Sequence, residues 1–272
     1  MIVNSSTVKQ LLKEMGEVGK RLSEMGATEG AAGNISLCLR DTLEIREFFP
    51  QMTIVDLPLP APDLVGATIL ATGSGRRLRD IPDDPTANLA SIIVEPGGKT
   101  GRIFTAVDCP FKRVTSEFNS HLAVHHDQMR RRPIKMHAIV HAQPKHLTYL
   151  SHLPKYQDER YLNTHLLRWQ PETILNFPEG IGILPFLLPG SVHLMLESML
   201  CLREHQLVIW SQHGVMARAD ESILHALDLV EYTETAAQYE VLNLFTGEAS
   251  AGLSPENIRA VAESWNIRQR IY

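Results

Sequence analysis

The chain contains 272 residues, of which 44% are apolar and 21% charged, the proportions of an ordinary globular protein with room for one large domain. Its formal net charge of -5 gives no general positive field for nucleic acid or anionic membranes, so a phosphorylated ligand needs local binding groups. No apolar run reaches the roughly 18 residues of a membrane-spanning helix, and three widely spaced cysteines, Cys38, Cys109 and Cys201, predict reduced thiols and a cytoplasmic protein.

The first part of the chain predicts one long helix, one strand and an irregular segment. Apolar residues at three- and four-residue spacing indicate an amphipathic helix over residues 7–25, which Gly26 can end. The alternation of apolar residues across 35–39 predicts a half-buried strand. Residues 41–66 are weakly patterned and rich in proline, so we predict an irregular excursion within the domain.

Strands and helices alternate more regularly beyond this excursion. Predicted strands cover residues 68–72, 91–95 and 102–106 as a hairpin, 137–142, a segment ending near Phe177, and 207–210. Predicted helices cover 116–131, 191–205 and 221–245, with short helices after Pro144 and after Ser254-Pro255. Hairpins mixed with strand–helix alternation indicate a mixed sheet with helices on both faces, in a single domain spanning residues 1–272.

Two histidines follow buried strands, where functional groups often collect. His141 ends one apolar strand, His213 follows another, and Glu117 stands at the start of a helix. If these three side chains converge, they make a plausible divalent-metal site. Taken singly, a histidine at a strand end is more often structural, and Glu117 also suits the helix dipole without any catalysis.

Three small polar turns are candidates for holding a phosphate. They are Gly33-Asn34, Gly73-Ser74-Gly75 and Thr115-Ser116, the last at a helix start. Backbone N–H groups in such turns bind anions, and hydroxyl groups add donors. Each alone is more often a simple turn or cap. Arg76, Arg77 and Arg79 follow the second turn, and a solvated face is the expected role for them.

His121 and His125 lie one helical turn apart in the predicted helix over 116–131. Two histidines at that spacing can share a metal ion. The segment lacks the glutamate of a metalloprotease motif, so we predict packing or supporting roles for both side chains.

These residues, taken together, resemble the class II aldolase/adducin family. The shared motifs occur in the family's order, and the resemblance covers roughly residues 8–266. The shared motifs are Gly33-Asn34-Ile35-Ser36, Thr72-Gly73-Ser74-Gly75, Thr115-Ser116-Glu117, the strand ending in His141, and Gln212-His213-Gly214-Val215. The longer segment from Phe177 to Pro185 is similar to the rhamnulose-1-phosphate branch of the family and separates it from the fuculose-phosphate branch.

The resemblance implies a fold and a reaction. The implied fold is a three-layer αβα domain with a mixed, largely antiparallel central sheet, assembled as a homotetramer. The implied reaction cleaves a deoxyketose 1-phosphate into dihydroxyacetone phosphate and an aldehyde, with zinc stabilising the enediolate. No lysine Schiff base is involved.

The resemblance also assigns roles to individual positions. Glu117 corresponds to the catalytic carboxylate that exchanges a proton with the substrate, and Glu172 to a second carboxylate of the rhamnulose branch. His141 and His213 correspond to two of three metal-binding histidines. The phosphate-contacting positions correspond to Gly33, Asn34, Ser74, Gly75, Thr115 and Ser116.

One departure bears directly on the metal. The family pattern is His-x-His, whereas this chain has His141-Ala142-Gln143. Three possibilities follow: Gln143 joins the shell of a divalent metal as a weaker ligand, His146 replaces the missing imidazole, or the metal is lost. Two alternative functions therefore stand beside the aldolase: a metal-poor sugar-phosphate-binding or assembly protein on this fold, and a pentulose-phosphate 4-epimerase. The epimerase branch carries an aspartate at the position of Glu117, which disfavours it.

Overall fold

The computed structural model describes residues 5–272, and within them the strands form one nine-stranded sheet. Its order is β2-β5-β4-β3-β1-β6-β9-β8-β7, and in this part of the chain the neighbouring strands are antiparallel apart from the parallel pair β7–β8. The strands are β1 Asn34–Leu39, β2 Gln51–Asp56, β3 Thr68–Thr72, β4 Leu89–Val94, β5 Thr100–Thr105, β6 Met136–Ala142, β7 Gly182–Leu184, β8 Leu207–Trp210 and β9 Gly214–Ala219.

Helices cover both faces of this sheet, so the predicted three-layer αβα architecture with a mixed, largely antiparallel sheet is confirmed. The helices are α1 Ser5–Glu24, α2 Pro85–Asn88, α3 Phe118–Arg131, α4 Lys145–Leu150, α5 Glu159–Leu166, α6 Pro171–Asn176, α7 Val192–Glu204, α8 Ile223–Phe245 and α9 Pro255–Ser264. Among residues 5–272, no helix is both long and apolar enough to cross a membrane.

The two helical layers bury separate cores. Helices α1, α4, α5, α6, α8 and α9 pack on one face, and α3 and α7 pack on the other. Helix α1 ends as its sequence predicts: Gly26 has a φ of +71°, the Gly26 N–H donates to the Ser23 carbonyl oxygen, and the Ala27 N–H donates to that of Leu22. This cap turns the chain directly into the loop that precedes β1.

Strand β1 lies near the middle of the sheet, between β3 and β6. The prediction of a half-buried strand is wrong, because Ile35 and Leu37 pack into one core while Ser36 and Cys38 are equally buried on the other face. The Ser36 hydroxyl and the Cys38 thiol on the second face gave the sequence the alternating pattern of a strand with one solvent-facing side. The strand is instead covered by α1 and α8 on one side and α3 on the other.

Other elements also differ from the sequence prediction, among them α5 and β7, which were not predicted. The excursion at 41–66 contains β2, an exposed edge strand that pairs with β5. The segment ending near Phe177 is helix α6 rather than a strand, with Pro171 at its first position. Strand β9, which was not predicted, pairs with both β6 and β8 and brings the turn after Trp210 beside the end of β6.

Candidate active site

A cavity of about 230 Å³ opens where β1, β3 and β6 meet the start of α3. It collects most of the residues singled out in the sequence. Its lining includes Gly33, Asn34, Ser74, Gly75, Thr115, Ser116, Glu117, His141, Gln143 and His213, together with Pro189 and Arg76. One site is therefore built from six separate segments of the chain.

Sheet pairing explains why distant segments converge here. Asn34 in β1 lies directly opposite His141 in β6. The Thr115 N–H donates to the Thr72 carbonyl oxygen at 2.9 Å, and the Ser74 N–H donates to that of Arg113 at 2.8 Å. These bonds hold the two small polar turns side by side at one end of the cavity.

The other end of the cavity holds Glu117, His141 and His213. One ligand atom from each lies within 4.8 Å of the other two. Glu117 Oε2 is 3.3 Å from His141 Nε2, and Glu117 Oε1 is 3.8 Å from His213 Nε2. Three convergent donors of this kind are the number that catalytic zinc sites use.

Hydrogen bonding prepares His141 as a ligand. Its Nδ1 donates to the Val215 carbonyl oxygen at 2.8 Å, which leaves Nε2 as the ring nitrogen that faces Glu117. Among the described residues, Glu117 Oε1 is buried and has no hydrogen-bond partner. A buried carboxylate oxygen without a donor, close to two imidazoles, fits a cation.

His213 is held against the cluster by its local backbone. Gln212, just before it, has a φ of +63°, and its N–H donates to Ser151 Oγ at 2.8 Å. A Cβ on Gly214 would lie 2.4 Å from the Ala142 carbonyl oxygen, so only glycine lets this turn approach β6. Burial, with His141 nearby, lowers the pKa of His213 to about 4, so the ring stays neutral and one of its two nitrogens can donate a lone pair.

Gln143 lines the cavity, whereas His146 points elsewhere. His146 Nδ1 is 2.7 Å from Glu234 Oε1, and the same carboxylate accepts the backbone N–H groups of His146 and Leu147 at the start of α4. His146 therefore lies outside the cluster: among the described residues it neither lines this cavity nor joins the converging ligand atoms of Glu117, His141 and His213.

Glu172 does not join the cavity formed by the described residues. It lies in the first turn of α6 and is exposed to solvent. Helix α6 turns this side chain outward, so the interpretation of Glu172 as an active-site carboxylate stays a prediction.

The structure adds residues that the sequence did not single out for the site. Arg76 was expected on a solvated face, but it lines the cavity and its Nε donates to Asn88 Oδ1 at 2.9 Å. Trp210 stacks near both histidines, with ring centroids 4.6 Å from His141 and 5.3 Å from His213. The predicted supporting role of His121 gains a structural basis, because its Nε2 lies 2.5 Å from Asn34 Oδ1.

Known proteins are similar to this chain over most of their length. Residues 13–241 match the class II aldolase and adducin N-terminal domain. The chain belongs to this family. It is similar to a rhamnulose-1-phosphate aldolase of Yersinia pestis (strain Pestoides F), with 30% identity over 250 residues that cover 89% of this chain and 88% of the relative.

Two further class II aldolase relatives agree. A rhamnulose-1-phosphate aldolase of Listeria monocytogenes (strain EGD-e) is 26% identical over 267 residues, covering 95% of this chain and 94% of the relative. The crystal structure of a sugar-phosphate aldolase from Thermotoga maritima has a TM-score of 0.74 and 29% identity, covering 90% of this chain and 100% of that one. The predicted family and fold are confirmed.

Proposed function

We propose that this protein is a divalent-metal-dependent aldehyde-lyase that cleaves a deoxyketose 1-phosphate, of the rhamnulose 1-phosphate type, to dihydroxyacetone phosphate and an aldehyde. The observation that carries the proposal is the convergence of Glu117, His141 and His213 at one end of a cavity whose other end is lined by small polar turns. A ligand with a phosphate at one end and a carbonyl near it matches this polarity.

The phosphate end acts through Gly75, Ser74, Thr115 and Ser116, with the Arg76 guanidinium nearby. Backbone N–H groups and hydroxyls in such turns donate to phosphate oxygens. Thr115 and Ser116 also precede the N-terminus of α3, where the helix dipole favours negative charge. Fixing the phosphate here sets the distance at which the substrate carbonyl meets the histidine cluster.

Glu117 is the proposed acid and base. It is buried beside both histidines, and the Asn34 amide nitrogen donates to its Oε2 at 2.9 Å. In the cleavage direction Glu117 delivers a proton to the carbon from which the aldehyde has left, and it removes that proton in the reverse direction. Its Oε1, which lacks a partner among the described residues, is the atom free to do this.

His141 and His213 would hold the metal, proposed to be zinc, with Gln143 as a weaker oxygen ligand at the cavity edge. A bound divalent cation supplies Lewis-acid chemistry, which polarises the ketose carbonyl and lowers the energy of the enediolate. The His141–Val215 hydrogen bond orients the His141 ring before a metal ion or substrate binds.

We also propose a homotetramer. The exposed carboxylate of Glu172 can reach an active site only in an assembly, where one copy presents helix α6 to the cavity of a neighbour. Measuring the mass of the native protein in solution tests the assembly, and a monomer would contradict both the tetramer and a catalytic role for Glu172.

The decisive experiment pairs metal content with cleavage of rhamnulose 1-phosphate by the purified protein. We expect stoichiometric divalent metal and turnover, and we expect Glu117→Gln to abolish turnover while most of the metal is retained. A metal-free protein that binds the sugar phosphate without cleaving it would favour the binding-protein alternative, for which the replacement of an imidazole by Gln143 is the supporting observation.

A further inference from the structure

A series of buried polar contacts leads from Glu117 into the interface between α3 and the sheet. Asn34 Nδ2 donates to Glu117 Oε2, and Asn34 Oδ1 lies 2.5 Å from His121 Nε2. His121 Nδ1 in turn lies 2.6 Å from Ser36 Oγ. These side chains are buried, so bulk water does not compete for the contacts.

The series continues beyond Ser36 through two more histidines. Ser36 Oγ lies 2.7 Å from His125 Nε2, and His125 Nδ1 lies 2.7 Å from His137 Nδ1. Both imidazoles are fully buried, and among the described residues His137 Nε2 has no partner.

The chemistry of Asn34 fixes the direction of the first link. An amide oxygen only accepts hydrogen bonds, so His121 must donate from Nε2 to Asn34 Oδ1. Burial lowers the pKa of His121 well below its ordinary value, which leaves the ring neutral. Neutral His121 then accepts at Nδ1, and the donor is the Ser36 hydroxyl.

The remaining links follow from the single hydroxyl hydrogen of Ser36. Because Ser36 donates it to His121, His125 must donate from Nε2 to Ser36 Oγ. Burial lowers the pKa of His125 to about 3, so this ring is also neutral and accepts at Nδ1 from His137. The hydrogen bonds therefore run one way, from His137 to Glu117.

We propose that His121 and Ser36 are positioning residues for the catalytic carboxylate: through this one-way series they hold the Asn34 amide with its nitrogen toward Glu117. The proposal rests on the proposed catalytic role of Glu117. A rotation of the Asn34 side-chain amide by about 180° would place its oxygen against the Glu117 carboxylate. The His121 Nε2–H prevents this rotation by donating to that oxygen. The series does not conduct protons, because the Asn34 amide interrupts it. Instead, the series fixes hydrogen-bond dipoles whose positive ends face the Glu117 carboxylate.

The first test does not depend on activity. Nitrogen-15 spectra of the imidazoles in the full-length protein report the tautomer of each ring. We expect neutral rings protonated at Nε2 in His121 and His125 and at Nδ1 in His137, with Ser36→Ala altering the first two while leaving His126 unchanged. A charged ring, or His121 protonated at Nδ1 instead, overturns the proposal.

The second test separates positioning from general stability. Ser36→Ala and His121→Phe should lower kcat for sugar-phosphate cleavage by about 10- to 100-fold with little change in KM, as lost supporting contacts do. His121→Gln should recover most of kcat, because its amide nitrogen takes the place of Nε2. The matched control is His126→Phe, which alters the neighbouring histidine that contacts Asp63 instead.

The outcomes of the two tests are distinguishable. If His121→Gln is as impaired as His121→Phe, or if KM alone changes, His121 does not position Glu117 and the proposal is overturned. If the wild-type protein cleaves no sugar phosphate, the proposed function fails, and the tautomers still decide whether the one-way series exists.

Discussion

The His141 ring donates from Nδ1 to the Val215 carbonyl oxygen at 2.8 Å, a bond between neighbouring strands β6 and β9. The bond makes Nδ1 a proton donor and so directs Nε2 toward Glu117. The sheet itself therefore orients a histidine that we propose as a metal ligand, independently of any bound ion.

Added divalent zinc should stabilise the native protein through this prepared site. A ligand that binds only the native state at a hundred times its Kd contributes about 2.7 kcal/mol. We expect a higher Tm for the metal-free wild-type protein after zinc is added, and no such rise for His141→Ala. His193→Ala changes an exposed histidine of α7 and serves as the control. Equal rises in the wild type and His141→Ala would place the zinc elsewhere.

Replacing the amide at the cavity edge should strengthen metal binding. Gln143→His restores an imidazole beside His141 and His213, and imidazole is a better zinc ligand than an amide oxygen. We expect zinc affinity to rise by about tenfold or more in a competition titration with a chelator. Gln143→Ala should bind zinc no better than the wild type. Unchanged affinity in the histidine variant would show that position 143 does not face the metal.

The small polar turns should account for phosphate binding. Ser74→Ala removes a hydroxyl from the cavity lining and should weaken inhibition by inorganic phosphate, with a KM for the sugar phosphate about 5- to 10-fold higher and kcat less affected. Ser264→Ala, an exposed serine at the end of α9, is the control. A lower kcat with unchanged KM would remove Ser74 from phosphate binding.

The buried histidines His125 and His137 should make the fold sensitive to acid. Burial lowers the pKa of both, that of His125 to about 3, whereas histidines in the unfolded chain titrate near pH 6.5. Below that pH the unfolded chain binds more protons, so stability is complete above about pH 6.5 and decreases as the pH falls toward 3.

Urea titrations between about pH 7 and pH 5 measure this dependence. Each histidine should contribute a slope of up to about 1.4 kcal/mol per pH unit to the free energy of unfolding. His125→Gln should reduce the total slope by one histidine's share, and the exposed His193→Gln should leave it unchanged. The same slope in His125→Gln and the wild type would contradict a neutral buried His125.

Much of the site could be predicted from sequence, because its residues lie in short polar turns and at the ends of apolar strands. Both patterns can be recognised in the sequence. Glu117, His141 and His213 do converge as predicted. The orientation of His146 could not be predicted, since it depends on Glu234, which lies 88 residues further along the chain. Glu172 shows the same limit: its position in the chain did not reveal that α6 turns it to solvent.

The buried polar face of β1 explains the main error in the fold prediction. Ser36 alternates with Ile35 and Leu37, which is the pattern of a strand with one solvent-facing side. Its hydroxyl is instead satisfied by His121 and His125 of α3, so it can be buried without an unpaired group. The alternation of apolar and polar residues shows only which residues are polar. It does not show whether a polar side chain such as Ser36 faces water or a buried hydrogen-bond partner.

The strand order has a consequence for synthesis on the ribosome. Strands β3, β4 and β5 pair in chain order and can assemble early, whereas β6 pairs with β9, more than 70 residues further on. Until β9 emerges, β6 has one open edge, and His141 lacks the carbonyl group that orients it. In the proposed site, the segments that would hold the phosphate are therefore synthesised well before those that would hold the metal, so we expect the cation to be bound late in folding.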